Sequence, residues 1–472
     1  MRKITTDNVI IGAGTAGLAA YRAIKSANQE AILIEGGSYG TTCARVGCMP
    51  SKLLIAAAEA HHTQSRFSQF GIEINVPTTV NGKKVMARVT TERDRFVGFV
   101  LEGVDAIPKE DKIVGYARFI HPHQLMVDDH TEITFNKAII ATGSSPVIPP
   151  FLQELGERVI VNDDIFSWQD LPRSVAVFGP GVIGLELGQA LHRLNVNVSL
   201  FGRDNHIGPI SDPVVKNEAL TIFKDEMNYI PDAQDIKVVR HADKVHIYFT
   251  TSDNTQQKII TVDYVVAATG RTPNVSQLNL PALNIELDQR GVPLFDRHTM
   301  QCGNSHIFIA GDANHDVPLL HEAADEGKIA GENAISYPNI EKKLRRSAIG
   351  VVFSDPQIAI IGQRFADIKR DQIVIGEVNF GNQGRSRVML KNKGILRVYA
   401  DKLTGRLLGA EMIGPDAEHL AHLLSWVHQL NLSVNEILAL PFYHPVIEEG
   451  LRTALRDAQE KINTLSHSQI AA

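Results

Sequence analysis

The chain has 472 residues, with 47 Lys or Arg, 53 Asp or Glu and a formal net charge of −6. At roughly 100–200 residues per domain, this length suggests about two to four domains. Because basic residues are not in excess, we expect no binding to nucleic acid or a membrane surface by charge alone. The apolar runs are much shorter than the ~18 residues of a membrane-spanning helix, and three cysteines are too few for a secreted disulfide scaffold.

The N-terminal segment predicts a strand, a glycine-rich turn and a helix. An apolar run at 9–11 is followed by Gly12-x-Gly14-x-x-Gly17 and a helical stretch at 18–24. The charged and apolar start of the chain also resembles a signal peptide, but three glycines would interrupt the helical core of a signal peptide. We therefore expect a folded N-terminus and a cytoplasmic protein.

This first turn has the features of a dinucleotide-binding site. Gly12 allows a tight turn, Gly14 lets a pyrophosphate approach the backbone, and Gly17 lets the helix pack closely on the strand. The phosphates then bind at the helix N-terminus. Glu35 ends the next apolar strand, at the position where a carboxylate binds ribose hydroxyl groups.

Two cysteines follow in the segment Cys43-x4-Cys48-x-Pro50. Their spacing differs from the Cys-x2-Cys of zinc sites, and Cys302, expected to be half-buried, supplies no second pair, so we predict no metal site. Pro50 suits the first turn of a helix that begins near Cys48, and a helix N-terminus lowers the pKa of a thiol. A reactive cysteine pair is the favoured interpretation, while two unrelated buried thiols or a structural disulfide are the alternatives.

The middle of the chain predicts helices at 53–70 and 93–107 and two similar strand endings. One apolar strand ends in Thr142-Gly143, and a later one ends in Gly270. We expect each ending to close one nucleotide-binding domain.

A second copy of the N-terminal pattern lies between these endings. The apolar run at 175–178 leads into Gly179-x-Gly181-x-x-Gly184 and a helical stretch at 185–194. An internal repeat of this kind indicates two dinucleotide sites in one chain.

The residue that would select between NAD and NADP at the second site does not give a clear answer. The position that corresponds to Glu35 is Gly202, and Arg203 follows it. An arginine there can bind the 2′-phosphate of NADP, but a solvated surface arginine is an equal alternative. Gly188, one turn after Gly184, gives glycine packing that is more usual for NAD, so NAD and NADP both stay open.

The C-terminal region adds a candidate base. A disulfide exchange needs a proton acceptor with a pKa near neutral, and a histidine held by a carboxylate supplies one. His444-Pro445 and Glu449 offer such a pair. By itself the signal is weak, because a solitary His-Pro is commonly a turn.

Taken together, the motifs resemble the two-dinucleotide-domain disulfide oxidoreductases over nearly the whole chain. Thr269-Gly270-Arg271-x-Pro273-Asn274 and Ala310-Gly311-Asp312 complete the set, which occurs in the order of that family. The resemblance implies that the first site holds FAD, with Asp312 on its ribityl chain, and the second holds the nicotinamide cofactor. It also implies that the C-terminal domain pairs two subunits, and that Lys52 and Glu186 form the ion pair of the family beside the flavin.

Within the family, Pro50-Ser51-Lys52 and the segments 319–327 and 400–409 are most similar to those of the dihydrolipoamide dehydrogenases. That similarity implies electron transfer from dihydrolipoamide through Cys43, Cys48 and FAD to NAD, with a lipoyl-bearing acyltransferase or a small dithiol as partner. Arg45 in the cysteine segment, Phe442-Tyr443 before the histidine, and the missing acidic residue of the second site depart from that pattern. The alternatives are an NADPH-dependent reductase of glutathione or another small disulfide, and a structural flavoprotein subunit of a multienzyme complex.

The predicted fold is therefore α/β, with two Rossmann-like domains and a C-terminal α+β dimerisation domain. The expected FAD-binding domain comprises residues 1–148 and 276–344, the NAD(P)-binding domain 149–275 and the dimerisation domain 345–472. Residues 145–150 are expected to link the first two. Strands and helices in the third domain are predicted at 395–400, 406–412, 418–430 and 434–440.

Overall fold

The computed structural model describes residues 1–76 and 78–470, with side chains as far as residue 465. The strands are β1 Arg2–Ile11, β2 Ala31–Glu35, β3 Lys112–Val114, β4 Ala117–His121, β5 Gln124–Val127, β6 Thr131–Ile140, β7 Ser144–Pro146, β8 Val159–Val161, β9 Ser174–Phe178, β10 Asn197–Phe201, β11 Asn228–Ile230, β12 Ala233–His241, β13 Lys244–Thr251, β14 Asn254–Val262, β15 Tyr264–Ala267, β16 Arg271–Pro273, β17 Ile307–Ile309, β18 Ile349–Val352, β19 Gln357–Gly362, β20 Ile373–Asn379, β21 Ile395–Asp401 and β22 Leu407–Gly414. The helices are α1 Thr15–Ser26, α2 Thr42–Val46, α3 Cys48–His62, α4 Gly82–Asp105, α5 Pro150–Gln153, α6 Asn162–Ile165, α7 Val182–Arg193, α8 Pro213–Glu226, α9 Leu320–Ser336, α10 Gly384–Val388, α11 Ala417–Gln429, α12 Val434–Leu438 and α13 Glu448–Ile470.

The chain divides into two compact units. The first comprises residues 1–50, 88–147 and 270–345, and the second comprises 51–87, 148–269 and 346–472. The first unit contains most of the predicted FAD-binding domain, and the second contains most of the predicted NAD(P)-binding and C-terminal domains together with residues 51–87. The finer boundaries stay a prediction.

The first unit is built on a sheet with the strand order β3-β2-β1-β6-β5-β4, in which β17 also pairs with β6. Strand β1 pairs in parallel with β2 and with β6. Val9 and Ile10 are fully buried in it, as expected for a central parallel strand that is covered on both faces. Helices α1 and α9 pack closely, since a Cβ on Gly327 would lie 2.1 Å from the carbonyl oxygen of Ala16.

The described residues of the second unit form three sheets. A parallel sheet has the order β11-β10-β9-β15-β8, an antiparallel sheet has β12-β13-β14, and a C-terminal antiparallel sheet has β18-β19-β22-β21-β20. Helix α13 packs on β20, where a Cβ on Gly376 would lie 2.0 Å from the carbonyl oxygen of Ala454. The α/β fold class is confirmed, and the repeat β1-α1-β2 and β9-α7-β10 forms two parallel βαβ units.

Four local predictions differ from the structure. The α-helix predicted at 53–70 begins at Cys48 and ends at His62, and residues 63–70 form a 3-10 helix. Helix α4 begins at Gly82 instead of residue 93, because the polar run at 90–95 interrupts the apolar spacing that includes buried Met86 and Val89. The expected linker begins with β7, which pairs antiparallel with β16. Cys302 is fully buried instead of half-buried, and burial raises the pKa of its thiol.

Candidate active site

The first glycine-rich turn joins β1 to α1 with almost no space for side chains. Gly12 has a φ of +106°, and a Cβ there would lie 2.3 Å from the carbonyl oxygen of Ala141. A Cβ on Gly17 would lie 1.8 Å from the carbonyl oxygen of Gly12. Gly14, by contrast, has no atom within 4 Å of its Cβ position. Backbone atoms therefore leave no space for a side chain at Gly12 and Gly17. Gly14 faces open space, as is needed where a phosphate approaches the backbone.

The second turn, between β9 and α7, repeats this geometry. Gly179 has a φ of +104° and would place a Cβ 2.3 Å from the carbonyl oxygen of Ala268. For Gly184 the corresponding distance to Gly179 is 1.9 Å, and Gly181 is open. The second unit therefore carries its own phosphate-binding turn of the same shape.

Equivalent backbone hydrogen bonds show that Gly202 occupies, in the second copy, the position of Glu35 in the first. The amide of Gly12 donates to the carbonyl oxygen of Ile34, and that of Gly179 donates to Phe201, so the next residue is Glu35 in one copy and Gly202 in the other. The carboxylate of Glu35 accepts the backbone N–H groups of Ala13 and Gly37, both at 2.7 Å. It is held at the turn where a ribose would lie.

The second copy has no carboxylate at the corresponding position and little space for a side chain there. A Cβ on Gly202 would lie 3.1 Å from both the Cγ of Pro180 and the carbonyl oxygen of Pro231. Arg203 is the first side chain beyond this point; it is 88% exposed and lies 3.4 Å from the carboxylate of Asp204. The residue available for the adenosine end of a nicotinamide cofactor is therefore cationic.

The first turn fits FAD by two independent observations. Gly14 and Gly143 are open toward solvent, so the backbone there can accept a large group. The hydroxyl groups of Thr142 and Tyr39 are buried and make no hydrogen bond. A buried polar atom without a partner is costly, and a bound ligand can supply the missing hydrogen bond.

Asp312 is oriented by a short chain of polar contacts in the same unit. Its carboxylate accepts the hydroxyl of Ser144 at 2.7 Å, and the Ser144 oxygen accepts Nε of Arg271 at 2.8 Å. Gly311, before Asp312, donates its N–H to buried Glu326 at 2.8 Å. Asp312 is thus held through its own carboxylate and through the backbone of the residue before it.

The cysteine segment forms two consecutive helices. Cys43 lies in α2 and is half-buried, while Cys48 begins α3 and is exposed. Thr41 caps α2: its hydroxyl accepts the N–H of Ala44 at 3.4 Å, and its φ is +58°. The predicted placement of Cys48 at a helix N-terminus is confirmed, and such a position favours the thiolate.

Lys52 and Glu186 form an ion pair in the second unit. Lys52 Nζ lies 2.7 Å from Glu186 Oε2, and the side chain of Glu186 is only 5% exposed. Glu186 Oε1 accepts the backbone N–H of Phe353 at 3.0 Å. Both carboxylate oxygens therefore have a partner, which is what a buried carboxylate requires.

His444 and Glu449 also lie together, at the N-terminal end of α13. Nδ1 of His444 is 3.0 Å from Oε1 of Glu449, and the amide of Val446 donates to Oε2 at 3.2 Å. These two hydrogen bonds lower the pKa of Glu449. The side chain of His444 is 81% exposed, so its second ring nitrogen is accessible.

The predicted residues form separate groups in the two units. The first unit contains the group around the first turn, where a Cβ on Gly12 would lie 3.2 Å from Cα of Thr142 and one on Gly311 would lie 3.0 Å from Cβ of Ala16. Its predicted members are Gly12, Gly14, Gly17, Glu35, Thr142, Gly143, Gly311 and Asp312. The same unit contains the cysteines and Gly270, which is open and has a φ of +127°. The second unit contains Gly179, Gly181, Gly184, Arg203, the Lys52–Glu186 pair and the His444–Glu449 pair.

Three residues beside these groups were not predicted. Ser144 orients Asp312, Tyr39 supplies a buried hydroxyl, and Phe353 contacts the Lys52–Glu186 pair. Ser144 directly follows the Thr142-Gly143 ending, which is a signal that could have indicated it. Phe353 is remote in sequence from its partners and has no such signal.

The described residues include neither a metal-ligand cluster nor a helix suited to crossing a membrane. No group of three or more His, Cys, Asp and Glu side chains there is arranged to hold a metal ion. No described helix is both long enough and apolar enough to cross a membrane.

Comparison with known proteins places these features in a family. The family model "Pyridine nucleotide-disulphide oxidoreductase" matches residues 6–327, and its dimerisation-domain model matches residues 349–455. Dihydrolipoyl dehydrogenase of Bacillus subtilis is 29% identical over 94% of this chain and 95% of its own length. Mercuric reductase of Staphylococcus aureus is 27% identical over 98% of this chain and 84% of its own length.

A solved structure shows the same fold. It is that of the HOCl-induced flavoprotein disulfide reductase RclA from Escherichia coli, with a TM-score of 0.78 and 23% identity. The match covers 95% of this chain and 99% of that chain.

Proposed function

The chain belongs to the pyridine nucleotide-disulphide oxidoreductase family, and on this premise we propose that it oxidises dihydrolipoamide with NAD, as a dihydrolipoyl dehydrogenase. Members of this family are flavoprotein disulfide oxidoreductases that depend on FAD and bind NAD(P), which are the cofactors of this chain. The similarity to dihydrolipoyl dehydrogenases over nearly the full length supports the substrate.

The first turn is the proposed FAD site. Gly12, Gly14 and Gly17 receive the pyrophosphate, Glu35 the ribose, and Thr142, Gly143, Gly311 and Asp312 the remaining polar groups of the cofactor. The unpaired hydroxyl of Thr142 supports this assignment, because it needs a hydrogen-bond partner that the protein does not provide. The second turn, with Gly179, Gly181 and Gly184, is the proposed nicotinamide cofactor site.

The cysteines carry the proposed thiol chemistry. His444, held by Glu449, takes the proton from a substrate thiol, and the resulting thiolate attacks Cys43 in a Cys43–Cys48 disulfide. Cys48 leaves as a thiolate, at a helix N-terminus that stabilises its charge. The second substrate thiol then displaces Cys43, so that the substrate leaves as a disulfide and both cysteines are reduced. Bound FAD supplies the two-electron chemistry that connects this cysteine pair with the nicotinamide.

The proposed assembly is a homodimer in which His444 of one subunit serves the cysteines of the other. The match of residues 349–455 to the dimerisation domain supports it. A mixture of His444→Ala and Cys43→Ser subunits, each inactive alone, should recover part of the activity after subunit exchange. Verified heterodimers without activity would contradict the shared site.

The His444–Glu449 pair is the observation that carries the proposal beyond cofactor binding. Glu449 orients the ring of His444 through Nδ1 and leaves Nε2 as the nitrogen that can accept the proton of a substrate thiol. The direct test is anaerobic turnover of dihydrolipoamide by the FAD-loaded protein, with NAD and NADP in parallel. Rapid reduction of NAD is the expected result, and no turnover with either nucleotide would overturn the substrate assignment.

A second candidate is an NADPH-dependent reductase of a small disulfide. The observation in its favour is the Gly202–Arg203 arrangement, which lacks a carboxylate and offers a cation. Oxidised glutathione and lipoamide, compared as acceptors with NADPH and NADH, distinguish the two. Preference for glutathione with NADPH would favour the second candidate.

A further inference from the structure

Tyr39, in the first unit, carries a buried hydroxyl group that no described residue donates to or accepts from. Its ring packs against the buried cluster to which Ala13 of the first turn and Ala16 of α1 belong. The next residue, Gly40, is packed so closely that a Cβ there would lie 3.0 Å from Cγ1 of Val97. Packing on both residues therefore fixes the ring and keeps its hydroxyl out of solvent.

The hydroxyl of Tyr39 lies within the electrostatic reach of Glu35. Burial and the charge of this carboxylate both raise the pKa of Tyr39 above its ordinary value. The phenol is therefore neutral at physiological pH and can donate its proton in a hydrogen bond. Tyr39 makes no such bond to Glu35, whose two oxygens already accept the backbone N–H groups of Ala13 and Gly37 at 2.7 Å.

A second unpaired hydroxyl belongs to the surroundings of the same turn. The hydroxyl of Thr142 is buried without a partner, and a Cβ on Gly12 would lie 3.2 Å from Cα of Thr142. A buried polar group without a hydrogen bond costs free energy, and native proteins rarely keep one unless a ligand or an ordered water supplies the partner. Two such groups around one phosphate-binding turn indicate a polar ligand there.

We propose that Tyr39 is a further cofactor-binding residue, whose hydroxyl donates a hydrogen bond to the adenosine diphosphate half of FAD. The inference rests on the proposed FAD site, in which Glu35 receives the ribose and the glycines receive the pyrophosphate. This half of FAD carries phosphate and hydroxyl oxygens that accept hydrogen bonds, and a phosphate oxygen is a strong acceptor. The proximity of Tyr39 to Glu35 is the observation that selects this half of the cofactor instead of the flavin.

The test is the dissociation constant of FAD, measured by ultrafiltration of the full-length holoprotein over a dilution series. Tyr39→Phe removes only the hydroxyl and should raise this constant roughly tenfold to a hundredfold, the loss expected for a hydrogen bond to a charged group. Tyr21→Phe is the matched control in the same unit, because the hydroxyl of Tyr21 already donates to Asp111 at 2.7 Å. The control should bind FAD as the wild type does, and an unchanged constant in Tyr39→Phe would overturn the inference.

A second measurement distinguishes cofactor binding from a structural role. It is the midpoint temperature of the full chain after removal of FAD. Tyr39→Phe should leave this temperature equal to that of the wild type or raise it, because the variant loses a buried hydroxyl that had no partner. Tyr21→Phe should lower it, because it breaks the bond to Asp111. A fall in Tyr39→Phe that parallels its loss of FAD affinity would identify a structural hydroxyl and overturn the inference.

Two further arms separate the inference from the proposed site. Glu35→Ala should also weaken FAD binding, and an unchanged constant there would overturn the placement of FAD at the first turn together with the inference. Free ADP competes as the half of FAD that Tyr39 is proposed to contact, and its inhibition constant should rise in Tyr39→Phe by the same factor as the constant for FAD. A loss confined to FAD would overturn the assignment to this half. None of these measurements involves a thiol substrate, so failure of the proposed dihydrolipoamide chemistry is seen separately.

Discussion

Glu449 presents both of its carboxylate oxygens to one ring nitrogen of His444, with Nδ1 at 3.0 Å from Oε1 and 3.1 Å from Oε2. Because a carboxylate can only accept, Nδ1 is the donor in this contact, and Nε2 is the acceptor nitrogen of the neutral ring. The amide of Val446 and the side chain of Gln383, which donates to the Val446 carbonyl at 2.8 Å, fix the loop between the two residues.

Loss of this carboxylate should slow thiol deprotonation without preventing FAD binding. A positioned general base contributes roughly 10²–10⁴-fold to a rate, and Glu449→Gln should remove roughly ten- to a hundredfold of it. Because hydrogen bonds from His444 and from the Val446 amide lower the pKa of Glu449, its carboxylate stays charged even below its ordinary pKa and is protonated only in more acidic solution. The kcat for dithiol oxidation, measured between pH 6 and 9, tests this, with the neighbouring Glu448→Gln as control; equal losses in both variants would contradict it.

The three cysteines should differ sharply in their importance. Cys43→Ser and Cys48→Ser should retain the visible absorbance of FAD but lose dithiol turnover, because either change removes the disulfide. Cys302→Ala is the control: this thiol is fully buried, and burial raises its pKa, so it should not react. Undiminished turnover in either serine variant would exclude the proposed chemistry.

The use of NADP(H) relative to NAD(H) should depend on Arg203. A charge-assisted hydrogen bond contributes about 1.5–3 kcal/mol, so Arg203→Ala should lower kcat/KM with NADPH about tenfold or more. The value with NADH should not change, because its ribose has no 2′-phosphate. Asp204→Asn removes the exposed partner at 3.4 Å and serves as control. Identical effects of Arg203→Ala on both nucleotides would identify it as a surface residue.

The backbone at Thr41 should be a source of instability next to the cysteines. Its φ of +58° and ψ of 150° lie in a region that essentially only glycine adopts, at a cost of about 1–3 kcal/mol. Glycine replaces a threonine cap at a cost of only a few tenths of a kcal/mol, so Thr41→Gly should stabilise the protein by roughly 1 kcal/mol. Thr41→Ala keeps the strain and loses the cap at 3.4 Å, so it should destabilise the protein. The midpoint temperatures of the two holoproteins should therefore lie on opposite sides of the wild type.

Low pH should reduce the stability of the first unit, because it favours protonation of His306, which stacks on His123. The rings of His123 and His306 lie 3.9 Å apart at 13°, and Nε2 of His306 donates to the carbonyl oxygen of Pro122. Burial lowers the pKa of His306 below its ordinary 6.5, so the unfolded chain takes up a proton first as the pH falls. The stabilising effect of the neutral ring is complete above pH ~6.5 and is lost progressively below it.

The variant His306→Gln keeps a donor for Pro122 and removes the titration. Its midpoint temperature should fall less than that of the wild type between pH 7.5 and 5.5. An equal fall in both proteins would mean that other groups dominate, such as His428, whose pKa burial also lowers.

Much of the fold followed from local pattern. Both glycine-rich turns lie between a buried parallel strand and a helix, because tight turns and close helix–strand contact leave no alternative to glycine at Gly12 and Gly17. The predicted start of α4 was wrong. Met86 and Val89 are buried by tertiary packing, but the polar run that follows them interrupts the apolar spacing by which a helix is recognised in the sequence. The same reason applies to Cys302, whose neighbours are distant in sequence.

The sequence by itself determined the two dinucleotide turns, the cysteine spacing and the His444–Glu449 pair, since each depends on residues within about one helix or one βαβ unit. Tertiary structure decided the contacts between distant residues. It brought Ser144 to Asp312, Lys52 to Glu186 and the ring of Phe353 to Lys52. Such contacts depend on how strands and helices pack in three dimensions, and no periodicity along the chain records that packing.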